Sequence, residues 1–239
     1  MPLLDDAFQT VKRENSIRIS ELRTYWSSIK AKASSPPTPQ SFEYLVGAGL
    51  TLVYCYGALE FCLNRCVGQM TELIDEYGVR IKDIEPALLC LALDPEVKST
   101  VSAGKGSYFA NRLSLFSKAH SKEVVKLHSE FLSSDLQNVW VKSITNVFAA
   151  FSVDKDPIYD KSIIGKINGL VDDRNAIAHG RETPEKIASK YTVPDMDATI
   201  HWISLQTEHM ISTFDDFYKE RGFILSAHRK RYEKRDQKP

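Results

Sequence analysis

KSIIGKINGLVDDRNAIAHGR, which runs from Lys161 to Arg181, has the apolar spacing of an amphipathic helix. We expect this helix to end at Gly180, because glycine readily takes the left-handed conformation of the C′ position. One charged residue, Arg174, lies at the centre of the apolar stripe when the stretch is drawn as a helical wheel. The apolar positions within about 60° of Arg174 on that wheel are Ile163, Ile167, Leu170, Val171, Ile177 and Ala178.

Arg174 is the residue of this helix that needs a partner. A guanidinium is almost never fully buried alone, because removing its charge from water costs several kcal/mol. We therefore expect either a carboxylate or an anionic ligand beside it. The candidate carboxylate is Glu60, which interrupts an apolar face of an upstream helix. The alternative is that Glu60 pairs with Arg65 or Asn64 on its own helix.

Three polar residues accompany Arg174 on the predicted helix. Asn175 and His179 lie one turn apart on the flank of the stripe, and Asp172 lies two turns before His179 on nearly the same line. A cation, an amide and an imidazole at the edge of one cleft would suit a phosphate group, and the helix C-terminus favours the charged form of histidine. The structural alternative is that Arg174 pairs with an acidic neighbour or extends to solvent, and that His179 caps the helix.

The segment RNAIAHG, residues 174–180, resembles the R-N-x-x-x-H signature of the HEPN superfamily, a group of all-α ribonuclease domains. The likeness extends to the preceding LVDD and to the stretch YCYGALEF at residues 54–61. It covers residues 42–220 and is similar to stand-alone prokaryotic HEPN-like nucleases of this size. The resemblance therefore implies an all-α, multi-helix HEPN-like bundle.

The resemblance also implies a reaction and its residues. Arg174 and His179 would form the catalytic pair of a metal-independent endoribonuclease without a cofactor, with Asn175 beside them in the catalytic site. Glu60 and Asp172, which the charge and helical-wheel arguments single out, would support them. RNA would be cleaved by attack of the ribose 2′-OH on the adjacent phosphorus. Two subunits would bring their motifs together, so a homodimer with the motifs at its interface is expected. A toxin or phage-defence role follows by the same resemblance, with an inhibitor or antitoxin protein as a candidate partner.

Length and composition predict one domain. The chain has 239 residues, of which 43% are hydrophobic and 26% charged, as in ordinary soluble proteins. We expect a bundle of five to eight helices over residues 1–222, with a first helix at 3–33, a proline-rich linker at 34–41 and a core at 42–222. Four cysteines without a CxxC pair, and a start unlike a signal peptide, predict buried, reduced thiols in the cytoplasm.

Residues 42–77 predict a long central helix that begins after Ser41. Their apolar run at 45–59 is shorter than the roughly 20 residues that span a bilayer, so we expect a core helix and no membrane contact. Gly47, Gly49 and Gly57 on this helix are expected to let neighbouring helices approach closely.

Later segments complete the bundle. Helices are predicted over 107–120, 121–132 and 135–151, and from a cap at Asp195 to Arg221 with Gly222 as the stop. His201 and His209 on the last helix lack the spacing of metal ligands, so no metal site is expected.

Charge is balanced overall but concentrated at the end of the chain. The net charge is zero, but the segment from Arg221 onward contains seven Lys or Arg residues and only two acidic residues. We expect a basic C-terminal tail at 223–239 that attracts RNA or an acidic partner, or that frays in solvent. The balanced body disfavours a broad duplex-binding face but permits a site for one or two phosphates.

Two other functions fit the residues. A non-catalytic RNA- or nucleotide-binding HEPN module would bind without cutting. A helical interaction protein would have Arg174 paired internally and no open cleft beside His179.

Overall fold

Eleven α-helices and no strand are present in the residues that the computed structural model describes, 7–35, 38–104 and 106–236. The all-α prediction is therefore confirmed. The observed number exceeds the predicted five to eight helices because four of the eleven have eight residues or fewer. Helices this short do not show a clear apolar repeat in the sequence. The helices are α1 Gln9–Lys30, α2 Phe42–Tyr77, α3 Pro86–Ala92, α4 Asp94–Val101, α5 Tyr108–Ala119, α6 Ser133–Gln137, α7 Val141–Ala150, α8 Ile164–Ala178, α9 Pro184–Ala188, α10 Val193–Lys219 and α11 Ser226–Asp236.

Helix α2 is the centre of the bundle, as predicted. The Ser41 hydroxyl accepts a hydrogen bond from the Tyr44 amide at its start, and Gly78 ends it with a φ of 70°. Helices α1, α8, α9 and α10 all pack against it. The predicted first helix at 3–33 is shorter, Gln9–Lys30, and positions 3–6 and 36–37 of the predicted helix and linker lie outside the described residues.

Two of the three α2 glycines make the predicted close contacts. A Cβ on Gly49 would lie 2.3 Å from the backbone oxygen of Pro184 in α9, and one on Gly47 would lie 2.6 Å from Ile29 of α1. At Gly57 the prediction is wrong, since no described atom lies within 4 Å of an added Cβ.

The ends of α10 differ from the prediction. Its N-cap is Thr192, while Asp195 is the third helical residue and completes a capping box with it. The left-handed residue at the other end is Arg221, with a φ of 53°. Gly222 is needed for space instead, because an added Cβ would lie 2.3 Å from the Phe217 ring.

The predicted helix over 121–132 is wrong in its first part. Residues 121–125 run beside 79–82, where the Val125 amide donates to the Val79 oxygen and the Ile81 amide to the Glu123 oxygen. Burial alternates here, with Val125 and Leu127 inside, which is the period of an extended chain. The predicted helix at 135–151 is broken into α6 and α7 by an extended turn at 138–140.

The predicted basic tail at 223–239 is packed onto the body as far as it is described. Phe223 and Ile224 are fully buried, and α11 follows them. The Arg231 guanidinium pairs with the carboxylate of Asp83, which is fully buried, and the Tyr232 hydroxyl donates to the same carboxylate at 2.8 Å. Because Asp83 needs these partners, the described packing continues past the predicted boundary at residue 222.

Among the described residues, α2 alone is long and apolar enough to cross a membrane by length and composition, and 56% of its most apolar window is buried in the fold. All four cysteines are free thiols. Cys55, Cys62 and Cys66 are buried on α2, whereas Cys90 is exposed, against the prediction that all four are inside.

Gly49→Ala should destabilise the fold by about 1–3 kcal/mol, because the methyl group must displace the α9 backbone. Gly57→Ala on the same helix should be neutral or stabilising by up to about 1 kcal/mol, because its surroundings are open. Urea denaturation of both variants measures the difference. Equal stabilities would contradict the tight packing of α9 on α2.

Candidate active site

Helix α8 carries the residues predicted to be functional. It follows a short 3-10 turn at Lys161–Ile163, which the Asp160 carboxylate caps by accepting from the Ser162 amide. Its first half packs into the core through apolar side chains that are buried. They are Ile163, Ile167, Leu170 and Val171. The predicted stripe fades toward the end of the helix, where Ala178 is exposed.

Gly180 ends α8 as predicted. It takes a φ of 65°, its amide donates to the Ile177 oxygen, and the Arg181 amide donates to the Ala176 oxygen at 2.9 Å. These two bonds form a Schellman motif, which satisfies the last carbonyl groups of the helix. The motif fixes the position of His179, the residue directly before the glycine.

Arg174 points from α8 toward α2, and its side chain is only 17% exposed. One terminal nitrogen lies 3.3 Å from Glu60 Oε1, and the other donates to Asn175 Oδ1 at 2.8 Å. The guanidinium carbon lies 3.8 Å from the centre of the Tyr56 ring, a close cation–π contact. The predicted contact between Glu60 and Arg174 is confirmed. Of the alternative partners, Arg65 pairs with Glu14 instead, and Asn64 donates to the backbone oxygen of Glu60 at 2.8 Å and not to its carboxylate.

Tyr56 anchors this cluster, although the sequence did not single it out. Its hydroxyl donates toward Glu60 Oε1 at 3.1 Å and accepts from the Val139 amide at 3.2 Å. Burial raises the pKa of Tyr56, with Glu60 adding to the effect, so the hydroxyl stays protonated as a donor. The spacing of Tyr56 and Glu60, one turn apart on α2, is the sequence signal that could have identified it.

The connection between α6 and α7 closes one side of the cluster. Asn64, one turn after Glu60, donates to the Leu136 oxygen at 3.2 Å. From the other side, Asn168 of α8 accepts from the Val141 amide at 3.2 Å. Helices α2 and α8 are therefore joined by the same extended turn that interrupts the predicted helix at 135–151.

Arg174 retains hydrogen-bonding capacity toward a ligand. A guanidinium has five N–H groups, and among the described residues two of them find acceptors, in Glu60 and Asn175. The remaining donors are free to bind an anion such as a phosphate oxygen.

His179 does not join Arg174 within one chain. Five residues of helix separate the two directions by about 140°, and the His179 side chain is exposed. His179 is the C-cap residue of α8, as the structural alternative predicted, and its backbone amide donates to the Asn175 oxygen at 3.1 Å, but no described residue makes a hydrogen bond or ion pair with its ring. Asp172 is likewise exposed and makes no described contact with His179. The structure groups Arg174, Asn175 and Glu60, and leaves His179 and Asp172 directed to solvent.

Asp173 has a structural role that the sequence did not reveal. It accepts a hydrogen bond from the Tyr191 hydroxyl at 2.5 Å and forms an ion pair with Lys190 at 3.4 Å. These two contacts connect the segment before α10 to α8. Burial and this carboxylate raise the pKa of Tyr191 well above its usual value. A cavity of about 430 Å³ on this side of α8 is lined by Lys166, Lys190 and Trp202, and by neither Arg174 nor His179.

The described residues contain no group of three His, Cys, Asp or Glu side chains arranged to hold a metal ion.

Comparison with known families identifies the fold. The family model described as RiboL-PSP-HEPN matches residues 13–220 of the chain. This protein belongs to the RiboL-PSP-HEPN family. No curated protein and no solved structure matches it. Membership of a HEPN family favours an RNA-related function and is compatible with ribonuclease activity.

Glu60→Gln should lower the free energy of unfolding by about 1–2 kcal/mol, because it removes the charge opposite a largely buried guanidinium. In an Arg174→Leu background the same change should cost less, because the partner charge is gone. Urea denaturation of the four proteins of this double-mutant cycle measures the coupling.

Glu72→Gln is the matched control on the same helix. Glu72 is exposed and makes no described hydrogen bond or ion pair, so its change should stay within about 0.5 kcal/mol. A Glu60 variant as stable as this control would contradict the ion pair.

Proposed function

We propose that this HEPN protein is a metal-independent endoribonuclease that cleaves RNA by attack of a ribose 2′-OH on the adjacent phosphorus. The observation that carries the proposal is the held guanidinium of Arg174. Tyr56, Glu60 and Asn175 fix its plane, while its remaining N–H groups are available to a phosphate. A cation fixed in this way can stabilise the charge that develops on the phosphoryl oxygens in the transition state.

His179 is the proposed proton-transfer group. It is exposed at the end of α8, and a histidine can both accept and donate a proton near neutral pH. As the 2′-oxygen bonds to phosphorus, its proton passes to one imidazole. The bond from phosphorus to the 5′-oxygen breaks, and a second imidazole protonates that leaving oxygen. The products are a 2′,3′-cyclic phosphate and a free 5′-OH.

A homodimer with the motifs at its interface supplies the second imidazole. His179 points away from Arg174 of its own chain, so a neighbouring chain related by a two-fold axis is the natural source of the missing contact. Asn175 then holds Arg174 in place through Oδ1, and its amide nitrogen is left for RNA or for the partner. Asp172 is exposed two turns before His179 on the same helix, and in this arrangement it supports the imidazole through its negative charge and not through direct contact.

A second function is favoured by one observation. Arg174 is paired internally with Glu60, as expected for a helical interaction protein. A non-catalytic RNA-binding module would keep the same ion pair, and it would bind RNA without cutting it. A growth-restricting toxin or phage-defence effector with an inhibitor protein is the biological role we associate with the catalytic alternative.

End-labelled RNA incubated with the protein in EDTA should be cleaved to fragments with cyclic phosphate ends. His179→Ala and Arg174→Ala should each lower the cleavage rate by at least about 100-fold, because each removes a group that acts in the transition state. His201→Ala, which changes an exposed histidine on α10, should retain the natural rate. Circular dichroism should show all three variants folded.

Absence of cleavage by the natural protein, with RNA still bound, would favour the binding module. Loss of cleavage only when EDTA is present would overturn the metal-independent reaction. Full activity of His179→Ala would remove histidine from the mechanism.

An excess of His179→Ala protein mixed with the natural protein should suppress cleavage. Subunit exchange would place most natural chains in mixed dimers that hold only one imidazole. The cleavage rate at a fixed amount of natural protein, measured against increasing variant, tests this. The same excess of His201→Ala should not suppress the rate, and equal behaviour of the two variants would contradict the shared site.

A further inference from the structure

Helix α5 exposes an apolar face that nothing in the proposed reaction uses. None of its twelve residues, all of them described, is buried. Phe109, Leu113 and Phe116 are 78%, 57% and 64% exposed. Their spacing, i, i+4 and i+7, places them on one side of the helix.

The neighbours of α5 leave this face open. Asn111 donates to Ser99 of α4, and Lys118 pairs with Glu96 of the same helix, so the opposite side of α5 faces α4. Leu115, between these two sides, packs against the core. A twelve-residue helix has little stability of its own in water, so a helix that buries so little gains from a partner on its open side.

Charge argues against an anionic partner. Of the described cations on α4 and α5, Lys98 pairs with Asp94, Lys118 pairs with Glu96, and Arg112 lies over its own Tyr108 ring at 4.7 Å. RNA phosphates and anionic lipid headgroups are bound by groups of free cations, which this face lacks among its described residues. An apolar occupant fits better.

The order of the side chains favours a second copy of this chain. Phe109 and Phe116 lie on either side of Leu113, so the stripe has nearly the same order in both directions. Two antiparallel copies would place Phe109 of each against Phe116 of the other, with the two Leu113 side chains in the middle. A two-fold contact requires this self-complementarity. With Tyr108 at the edge, complete coverage of two such faces would bury at most about 1,000 Å², which is at the lower limit for a specific interface.

The face is far from the candidate active site. Helix α5 packs beside residues 81–83, which follow the end of α2, whereas Glu60 lies seventeen residues before Tyr77 on that helix. At 1.5 Å per residue this separates the two sites by about 25 Å along α2. A copy bound at α5 therefore leaves Arg174 accessible.

We infer that the α5 face, Phe109, Leu113 and Phe116, is a two-fold docking surface for a second copy of this protein, separate from the proposed contact between motifs. The inference does not depend on RNA cleavage. It adds a second self-association surface at the other end of α2.

Analytical ultracentrifugation of the full chain over a range of concentrations tests the surface. Phe109→Glu combined with Phe116→Glu should lower the mass of the assembly reached at high concentration to that of a dimer or less, because carboxylates would face each other across the two-fold axis. Ala110→Glu combined with Ser114→Glu changes exposed residues away from the Phe109–Leu113–Phe116 face of α5 and should leave the mass unchanged. Circular dichroism of both variants should match that of the natural protein.

Cross-linking gives a second measurement that introduces no charge into the surface. In a Cys90→Ser background, which removes the exposed native thiol, Leu113→Cys should cross-link two copies with a short bismaleimide, whereas Ser114→Cys on another side of the helix should not. Equal cross-linking at both positions would overturn the antiparallel contact.

Unchanged mass in the double phenylalanine variant would also overturn the proposal. Loss of binding to a single-stranded RNA or to phosphatidylserine vesicles in that variant, without a change of mass, would assign the face to those ligands instead. RNA cleavage should also be measured on the same variants. The mass of the assembly reports self-association whether or not the protein cleaves RNA, so failure of the α5 contact and failure of the proposed activity can be told apart.

Discussion

The burial of the Arg174 guanidinium determines how helix α8 packs on the central helix α2. Arg174 of α8 contacts the Tyr56 ring and the Glu60 carboxylate, which both belong to α2, and the side-chain amide of Asn175 on its own helix. Without them the charge would lie uncompensated against apolar surface, which costs several kcal/mol. The register of α8 on α2 is therefore fixed by polar contacts at its C-terminal half and by apolar packing at its N-terminal half.

This arrangement explains why Tyr56 belongs to the site. The ring covers one face of the guanidinium, and the hydroxyl at its far end is held by Glu60 and by the Val139 amide. A phenylalanine could supply the ring but not the tie to the α6–α7 connection. The site is thus a small polar network in which Tyr56, Glu60 and Arg174 each have at least two partners, a condition under which buried polar groups give rigidity instead of strain.

The sequence predicted the central elements well because their signals are local. The bounds of α2 follow from Ser41 and Gly78, and the end of α8 follows from Gly180, since caps depend on one or two residues. The pairing of Glu60 with Arg174 was also accessible, because a charge on an apolar stripe requires an opposite charge nearby.

What the sequence could not supply depends on contacts between distant segments. The sequence predicts a helix over 121–132, but residues 121–128 are extended because they hydrogen-bond to residues 79–82, to Asp75 and to Leu91. The sequence predicts a basic tail from residue 223, whereas Arg231 of this segment pairs with the buried carboxylate of Asp83. The sequence does not reveal this pairing because Asp83 is about 150 residues earlier in the chain. The outward direction of His179, by contrast, follows from the helical wheel, because burying Arg174 turns a residue about 140° away from it toward solvent.

The rotation of α8 has a consequence for assembly. Turning Arg174 inward leaves His179 outward, so a reaction that needs both groups on one phosphate needs a second chain at this end of α2. The α5 face lies at the other end and is apolar where the motif is polar. Two separate two-fold contacts on one chain either close into a tetramer or continue as an open filament, depending on the angle between their axes. Because one contact would be hydrophobic and the other rich in charge, raised salt should weaken the motif contact and leave the α5 contact in place.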